Sequence, residues 1–212
     1  MNVAIIGAGN VGSALAGAIT RAGHEVTISA TDPAHAQRAA LQTGARAASS
    51  SRAAVDGATI VVLAVPIAAL PDVATELKPA LRGKVVVDVA NRPTPVPGTP
   101  DSPSIAEELQ ALLPESHVVK AFNTVFASRQ ARPDLDGTPV DGYVAGDDAT
   151  AKSLVLELVE SIGMQPYDVG GLAVAQTLEG MAWLHIQLAM QHGWSWQSGW
   201  KLVGPTETAV AA

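Results

Sequence analysis

With 212 residues, 48% hydrophobic content and no cysteine, the chain suits one domain with a modest appendage, whose core forms without disulfides or thiolate metal sites. Thirteen basic against twenty acidic residues leave a net charge of −7, the wrong sign for a nucleic-acid backbone partner. The opening Met1-Asn2-Val3-Ala4-Ile5-Ile6 has no basic n-region, and the apolar run from Ile60 to Leu70 is broken by Pro66 and well short of the roughly 20 residues of a membrane helix, so no membrane partner and a cytoplasmic location are expected.

Short β-branched runs alternate with Ala/Leu-rich segments of helical length, the pattern of βαβ units around a parallel sheet. The first run, residues 2–6, leads into Gly7-Ala8-Gly9-Asn10-Val11-Gly12 and a helix over 10–22. A G-x-G-x-x-G between strand and helix has a physical reading. Gly7 permits the tight turn, Gly9 lets a pyrophosphate approach the backbone, and Gly12 lets the helix pack on the strand. The helix N-terminus then offers free N–H groups to phosphate, with Asn10 and Val11 in its first turn. A purely structural glycine turn is the bland alternative.

The second strand, 25–29, runs into Ser29-Ala30-Thr31-Asp32-Pro33, and Ala30 stands where a carboxylate would bind the ribose hydroxyls of NAD and repel the 2′-phosphate of NADP. Ser29 and Thr31 offer hydroxyls there, and His35 and Arg38 on the next helix, 33–43, offer positive charge. Asp32 either reaches the ribose or caps that helix, which Pro33 begins. A short strand at 45–47 and a small helix to Asp56 complete the first half. A strand over 59–65 then delivers Ala64, Val65 and Pro66, followed by a helix over 66–78. The next strand, 84–89, delivers Ala90 and Asn91, which with Ala64, Val65 and Pro66 are candidate neighbours of the nicotinamide half, Asn91 also as a positioning group, and it carries Asp88, which reads as a satisfied core carboxylate.

Residues 91–103 hold five prolines and form a loop, and Ser104-Ile105-Ala106-Glu107 is a capping box opening a helix over 104–112. A strand at 117–122 places Asn123 and Thr124 at the crevice as positioning groups, although Asn123 is nearly as good a turn former. Val140–Ala145 and Met164–Asp168 read as two more strands, with an antiparallel arrangement at the sheet edge open to them, around a helix within Asp147–Gly163. Leu172–His192 reads as one long helix carrying His185 and His192 seven apart, as proton donors or, more ordinarily, as helix-surface or capping groups. All four tryptophans fall within Trp183–Trp200. The whole is an α/β Rossmann fold, a doubly wound, mostly parallel sheet, over residues 1–170, with a C-terminal helical appendage over 171–212 that covers a site or forms a homodimer. No metal site is expected.

"VAIIGAGNVGSALAGAITRAGHEVTIS", "HVVKAFNT", "VAGDDATAK" and "GLAVAQTLEGMAWL" resemble, in order, the NADP oxidoreductases that use an 8-hydroxy-5-deazaflavin (an F420-type cofactor). They are also similar to the flavin-dependent reductase domain of the epithelial metalloreductases. The resemblance implies NADP(H) extended across the sheet, a flavin (FMN or FAD) or deazaflavin stacked near the nicotinamide, and hydride passing directly between carbons. Such a transfer needs positioning rather than an acid or base. Where that family usually writes Ser-Arg after the second strand, this chain has Ala30-Thr31, which leaves NAD(H) open as the cofactor. The rival readings are a β-hydroxyacid or imine dehydrogenase, which needs a lysine on the long helix where there is none, and a non-catalytic dinucleotide sensor.

Overall fold

In chain order the computed structural model, which describes residues 1–92 and 102–204, contains ten strands and eight α-helices among those residues. The first half runs β1 (Asn2–Ile6), α1 (Asn10–Arg21), β2 (Glu25–Ser29), α2 (Pro33–Thr43), β3 (Arg46–Ala47) and α3 (Ser51–Val55). The second runs β4 (Ile60–Leu63), α4 (Leu70–Leu81), β5 (Val85–Asp88), α5 (Ile105–Leu112) and β6 (His117–Lys120). Then come α6 (Ala127–Ala131), the small hairpin β7 (Asp134–Leu135) and β8 (Thr138–Pro139), β9 (Asp141–Gly146), α7 (Ala149–Ser161), β10 (Gln165–Asp168) and α8 (Ala175–His192).

Eight strands form one sheet in the order β10-β9-β6-β5-β4-β1-β2-β3. The six from β3 to β6 are parallel, while β9 pairs antiparallel with β6 and parallel with β10, so the last two strands run against the rest. Strands buried on both faces cannot alternate polar and apolar, which is why Ile60–Leu63 and Val85–Val87 are continuous β-branched or leucine runs. One core lies under α1, α2 and α7, around Ile5, Leu15, Ile19, Val87 and Val155. The other lies under α3, α4 and α5, around Ile6, Leu63, Leu77, Leu81 and Leu109. Each fully buried Leu or Ile side chain contributes about 1.5–3 kcal/mol over an exposed one.

Caps follow the local sequence. Asp32 Oδ1 accepts from Ala34 N at 2.9 Å, Asp148 Oδ1 accepts from Ala151 N at 2.8 Å, and Ser104 and Glu107 make the reciprocal capping box. Several boundaries differ from the sequence expectation; the long C-terminal helix, for one, begins at Ala175 after a 3-10 turn over Leu172–Val174. Pro66 is extended (φ −55°, ψ 140°), so α4 begins only at Leu70, after a 3-10 turn over Ile67–Ala69. The fourth strand stops at Leu63, since Ala64 to Pro66 leave the sheet. The sixth stops at Lys120, since Phe122 takes a left-handed φ of 63°. The hairpin and α6 went unforeseen, being too short for a hydrophobic period. Most of the proline-rich loop lies outside the described residues. At the sheet's two edges stand β10, in which Pro166 has no N–H, and β3, only two residues long.

Candidate functional site

Carboxyl ends of parallel strands on either side of β1 open into one cleft of about 940 Å³. Its floor is the glycine turn. Gly7 sits at φ +113°, and a Cβ there would lie 2.2 Å from the Ala64 carbonyl oxygen. A Cβ on Gly12 would lie 1.9 Å from the Gly7 oxygen, so α1 rests directly on the turn. At Gly9 a Cβ would meet nothing within 4 Å, because this glycine faces the open cleft where a pyrophosphate would approach. The first-turn N–H groups of α1 lack intrahelical partners and give this end of the helix a partial positive charge. Those features fit a dinucleotide diphosphate. Gly7, Gly9, Asn10 and Val11 line the wall, and Gly12 lies behind it.

Ala30, Thr31, His35 and Arg38 line one end of the cleft together with Asp32. Asp32 is thus both cap and wall, with its second oxygen 3.7 Å from His35 Nε2. Ser29 corrects the sequence reading. Its side chain is fully buried and its hydroxyl donates to Ser51 Oγ at 3.3 Å, because strand alternation turns it into the sheet; Ser51 lines the cleft in its place.

Ala64, Val65, Pro66, Ala90 and Asn91 line the other end. Behind Ala90 lies a buried charge cluster that sequence reasoning saw only in part. Lys120 Nζ donates to Asp88 Oδ2 at 2.7 Å, to Glu179 Oε1 at 3.1 Å and to the Ala90 carbonyl at 2.6 Å, while Ala90 N donates to Asp88 Oδ1 at 2.9 Å. Both backbone polar groups of Ala90, its N–H and its carbonyl, are therefore taken from behind the wall. Asp88 and Lys120 face each other across the register of β5 and β6, and Glu179 arrives from α8, also accepting from Ile105 N. Burial raises the Glu179 pKa against the lowering effect of Lys120. Asp88 is the satisfied core carboxylate the sequence suggested.

Asn123 and Thr124 stand outside this cleft, in an adjoining cavity of about 140 Å³ that shares Val11, Val89 and Asn91 with it. Asn91 and Asn123 bind each other: Asn123 Nδ2 donates to Asn91 Oδ1, and Asn91 Nδ2 donates to the Asn123 carbonyl, both at 2.9 Å. Gln130, on the unforeseen α6, completes the cavity wall. Among the described residues, every titratable group lining the main cleft (Asp32, His35, Arg38) stands at the Ala30 end.

His185 is a correction too. It is 4% exposed rather than a helix-surface group, stacks on Phe126 at 4.0 Å, and lines neither cavity. With Nδ1 3.4 Å from the Thr124 carbonyl and Nε2 2.8 Å from Ser198 Oγ, its hydrogen bonds assign the ring proton to Nδ1. Burial lowers its pKa. His192, by contrast, is exposed and stacks on Trp194. Beyond α8 the chain doubles back over α6 and β9. Ser128 donates to the Trp196 carbonyl, Arg129 to Gln197 Oε1, and Asp141 N to the Trp200 carbonyl at 3.0 Å. Lys201 pairs with the buried Asp141 carboxylate at 3.0 Å, and burial plus that carboxylate push the Tyr143 hydroxyl up to about 12. Among the described residues no helix is long and apolar enough to cross a membrane, and no group of three or more His, Cys, Asp or Glu is placed to hold a metal.

The family described as NADP oxidoreductase, coenzyme F420-dependent, matches residues 2–92. An F420-dependent NADP reductase of Methanothermobacter marburgensis is 30% identical over 91% of this chain and 94% of its own length. A crystal structure ascribed to an F420-dependent NADP-reductase of Arthrobacter sp. FB24 superposes with a TM-score of 0.81 at 31% identity, covering 92% of this chain and 96% of that one. Metalloreductase STEAP3 of Rattus norvegicus is 31% identical over 84% of this chain, which spans only 36% of that longer protein. Solved imine reductases at 20% identity share the fold alone. On sequence, fold and cleft together, the chain belongs to the family of coenzyme F420-dependent NADP oxidoreductases.

Proposed function

We propose that the protein binds NADP(H) along the 940 Å³ cleft and catalyses hydride transfer between its nicotinamide and a flavin or deazaflavin. The observation that carries this reading is the absence, among the described residues, of a titratable side chain in the wall at the Val65–Asn91 end. An alcohol or imine dehydrogenase needs a proton donor there, and the one nearby lysine, Lys120, is wholly buried behind Ala90. When bound, the dinucleotide supplies a hydride from the nicotinamide and the second ring accepts it. The protein's part is to hold the diphosphate on Gly9 and the first turn of α1, to present a rigid apolar wall through Val65, Pro66 and Ala90, and to exclude water from between the rings.

Thr31, His35 and Arg38 carry the preference for the 2′-phosphate, with no carboxylate at Ala30 to repel it. Removing a charge-assisted contact costs about 1.5–3 kcal/mol, so Arg38→Leu should raise the Kd for NADPH roughly 10- to 150-fold and leave NADH within about twofold, by fluorescence titration. Equal losses for both nucleotides would remove Arg38 from this role. The reaction itself is tested by following NADPH oxidation at its nicotinamide absorbance with FMN, FAD and an 8-hydroxy-5-deazaflavin in turn. Tight nucleotide binding without oxidation by any of the three overturns the hydride-transfer reading and favours a dinucleotide sensor.

Residues 171–212 belong to this reading as the dimerising and site-covering appendage. What supports it is the number of exposed large side chains on this segment, Leu184, Met190, Trp194 and Trp196, beside a tail fastened over α6. A Leu184→Glu, Met190→Glu variant should elute as a monomer where the parent elutes as a homodimer; no change of elution volume would count against these side chains as the contact.

A further inference from the structure

Past Gly193 the chain turns back as a strap, residues 194–202, seated on α6 and the start of β9. Ser128 and Arg129 hold its Trp196 carbonyl and its Gln197 side chain. Asp141 takes the Trp200 carbonyl through its N–H, and the Lys201 ammonium and Leu202 N–H through its carboxylate. Gly199 lies so close to β9 that a Cβ would stand 2.4 Å from Val140 Cγ1. In the middle of this seat is the buried His185 ring of α8, stacked on Phe126 and 5.3 Å from the Trp200 ring.

The two ring nitrogens have unlike partners. A carbonyl only accepts, so Nδ1 carries the proton toward Thr124, and Nε2 keeps a lone pair that accepts from the Ser198 hydroxyl at 2.8 Å. The neutral tautomer thus satisfies the ring and the serine together. A second proton, on Nε2, reverses that bond: Ser198 must turn to accept, and its own proton is left without the acceptor it had. Nor does a carboxylate wait to pair with the cation. On α8, Glu179 is bound to Lys120, and His192 stacks on Trp194. On α6, Arg129 is bound to the Arg132 and Asp134 carbonyls and to Gln197. Asp141 of β9 is paired with Lys201, the one charged residue of the strap, and residues 121–126 carry no charge.

We propose that His185 is an acid-sensitive latch, whose protonation at Nε2 shifts the strap 194–202 from seated to open while the sheet keeps its fold. It makes the appendage, read above as a cover and a contact between copies, respond to pH, and it stands whether or not the cleft holds a dinucleotide. In the open strap the ring meets water and titrates at the ordinary histidine value of 6.5, whereas burial holds it lower in the seated one. Seating is therefore fully present above the open-state value and is lost as pH falls from there through the seated value. If the seated ring stays neutral, the open-to-seated ratio grows by the factor 1 + 10^(6.5 − pH), which gives about 30-fold between pH 7.5 and pH 5.

Hydrogen exchange of the backbone amides in 194–202 tests this on the full chain, at pH 5 and pH 7.5, corrected for the intrinsic pH dependence of exchange. Protection of the strap should fall about 10- to 30-fold at pH 5, while the amides of β1, β4 and β5 keep theirs. In His185→Asn the side-chain amide can still donate to the Thr124 carbonyl but gains no proton, so the pH step should vanish. Imidazole NMR signals of the parent are the second measurement and need no variant: His185 should be the Nδ1–H tautomer at pH 7.5 and titrate below 6.5. Equal strap protection at both pH values in the parent overturns the proposal. So does an undiminished step in His185→Asn, which would assign the titration to another group, or a His185 midpoint at or above 6.5. A loss shared equally by β1, β4 and β5 overturns it too, since acid would then be opening the whole domain.

Discussion

Alanine at Gly9 should abolish tight dinucleotide binding while leaving the free protein as stable as before, and alanine at Gly12 should damage both. Gly9 has an extended backbone (φ −77°, ψ −168°) that any residue adopts, and its Cβ would meet nothing within 4 Å. Loss of its favourable helix-cap role is offset by a less disordered unfolded chain, each worth a few tenths to about 1 kcal/mol. The added methyl instead occupies the approach of the diphosphate. Blocking its charge-assisted contacts with the α1 N-terminus should raise the Kd by roughly 100-fold or more. A Cβ at Gly12 collides with the Gly7 oxygen at 1.9 Å, so either α1 or the turn must move, at about 1–3 kcal/mol and sometimes more. Calorimetric unfolding of the free protein beside a binding titration separates the two. A large loss of stability in Gly9→Ala would mean that this glycine is there for folding alone.

Lys120→Met should destabilise strongly, at about 3–5 kcal/mol, because it leaves Asp88 buried without a cation and Glu179 with only the more distant Arg92 guanidinium, 3.9 Å away. The loss should shrink in acid. Burial already raises the Glu179 pKa above its unfolded value, so a proton on the carboxyl favours the folded state below that value and the benefit fades as pH rises. Urea unfolding at pH 5 and pH 8 should therefore give a smaller deficit at the lower pH. The triple variant Lys120→Met, Asp88→Asn, Glu179→Gln, which removes all three charges together, should recover most of the stability. It should also loosen the Ala90 peptide, whose carbonyl loses the Lys120 ammonium at 2.6 Å, and so weaken nicotinamide nucleotides more than ADP-ribose. A triple variant no more stable than Lys120→Met would mean that the cluster's geometry, rather than its charge balance, holds this region.

The glycine turn, the cap at Asp32 and the core role of Asp88 were legible because each depends on neighbours close in sequence. A turn's φ, a helix start and strand alternation are local quantities. Ser29 misled because the last residue of a strand and the first beyond it differ by one position and point to opposite faces. Lys120 was visible as a residue in a strand, but its pairing with Asp88 depends on the register of β5 against β6, and Glu179 joins them from a helix 59 positions later. Gln130 gave no signal. It lies on five residues of helix, too few for a hydrophobic period, and its partners are backbone carbonyls. The cleft could thus be drawn from local pattern, whereas the cavity beside it exists only through tertiary contacts.

The proline in β10 and the two-residue β3 bear on how copies of the chain meet. A long, flat outer strand is a template on which another chain's strand can crystallise, and that route leads toward fibres rather than closed particles. Here one rim lacks a donor at Pro166 and carries charge at Asp168 and Lys152, and the other offers only two residues of ladder. Growth of the sheet across molecules is disfavoured at both ends. Contact between copies is thereby turned away from strand pairing at these two rims and toward side chains on the helical faces.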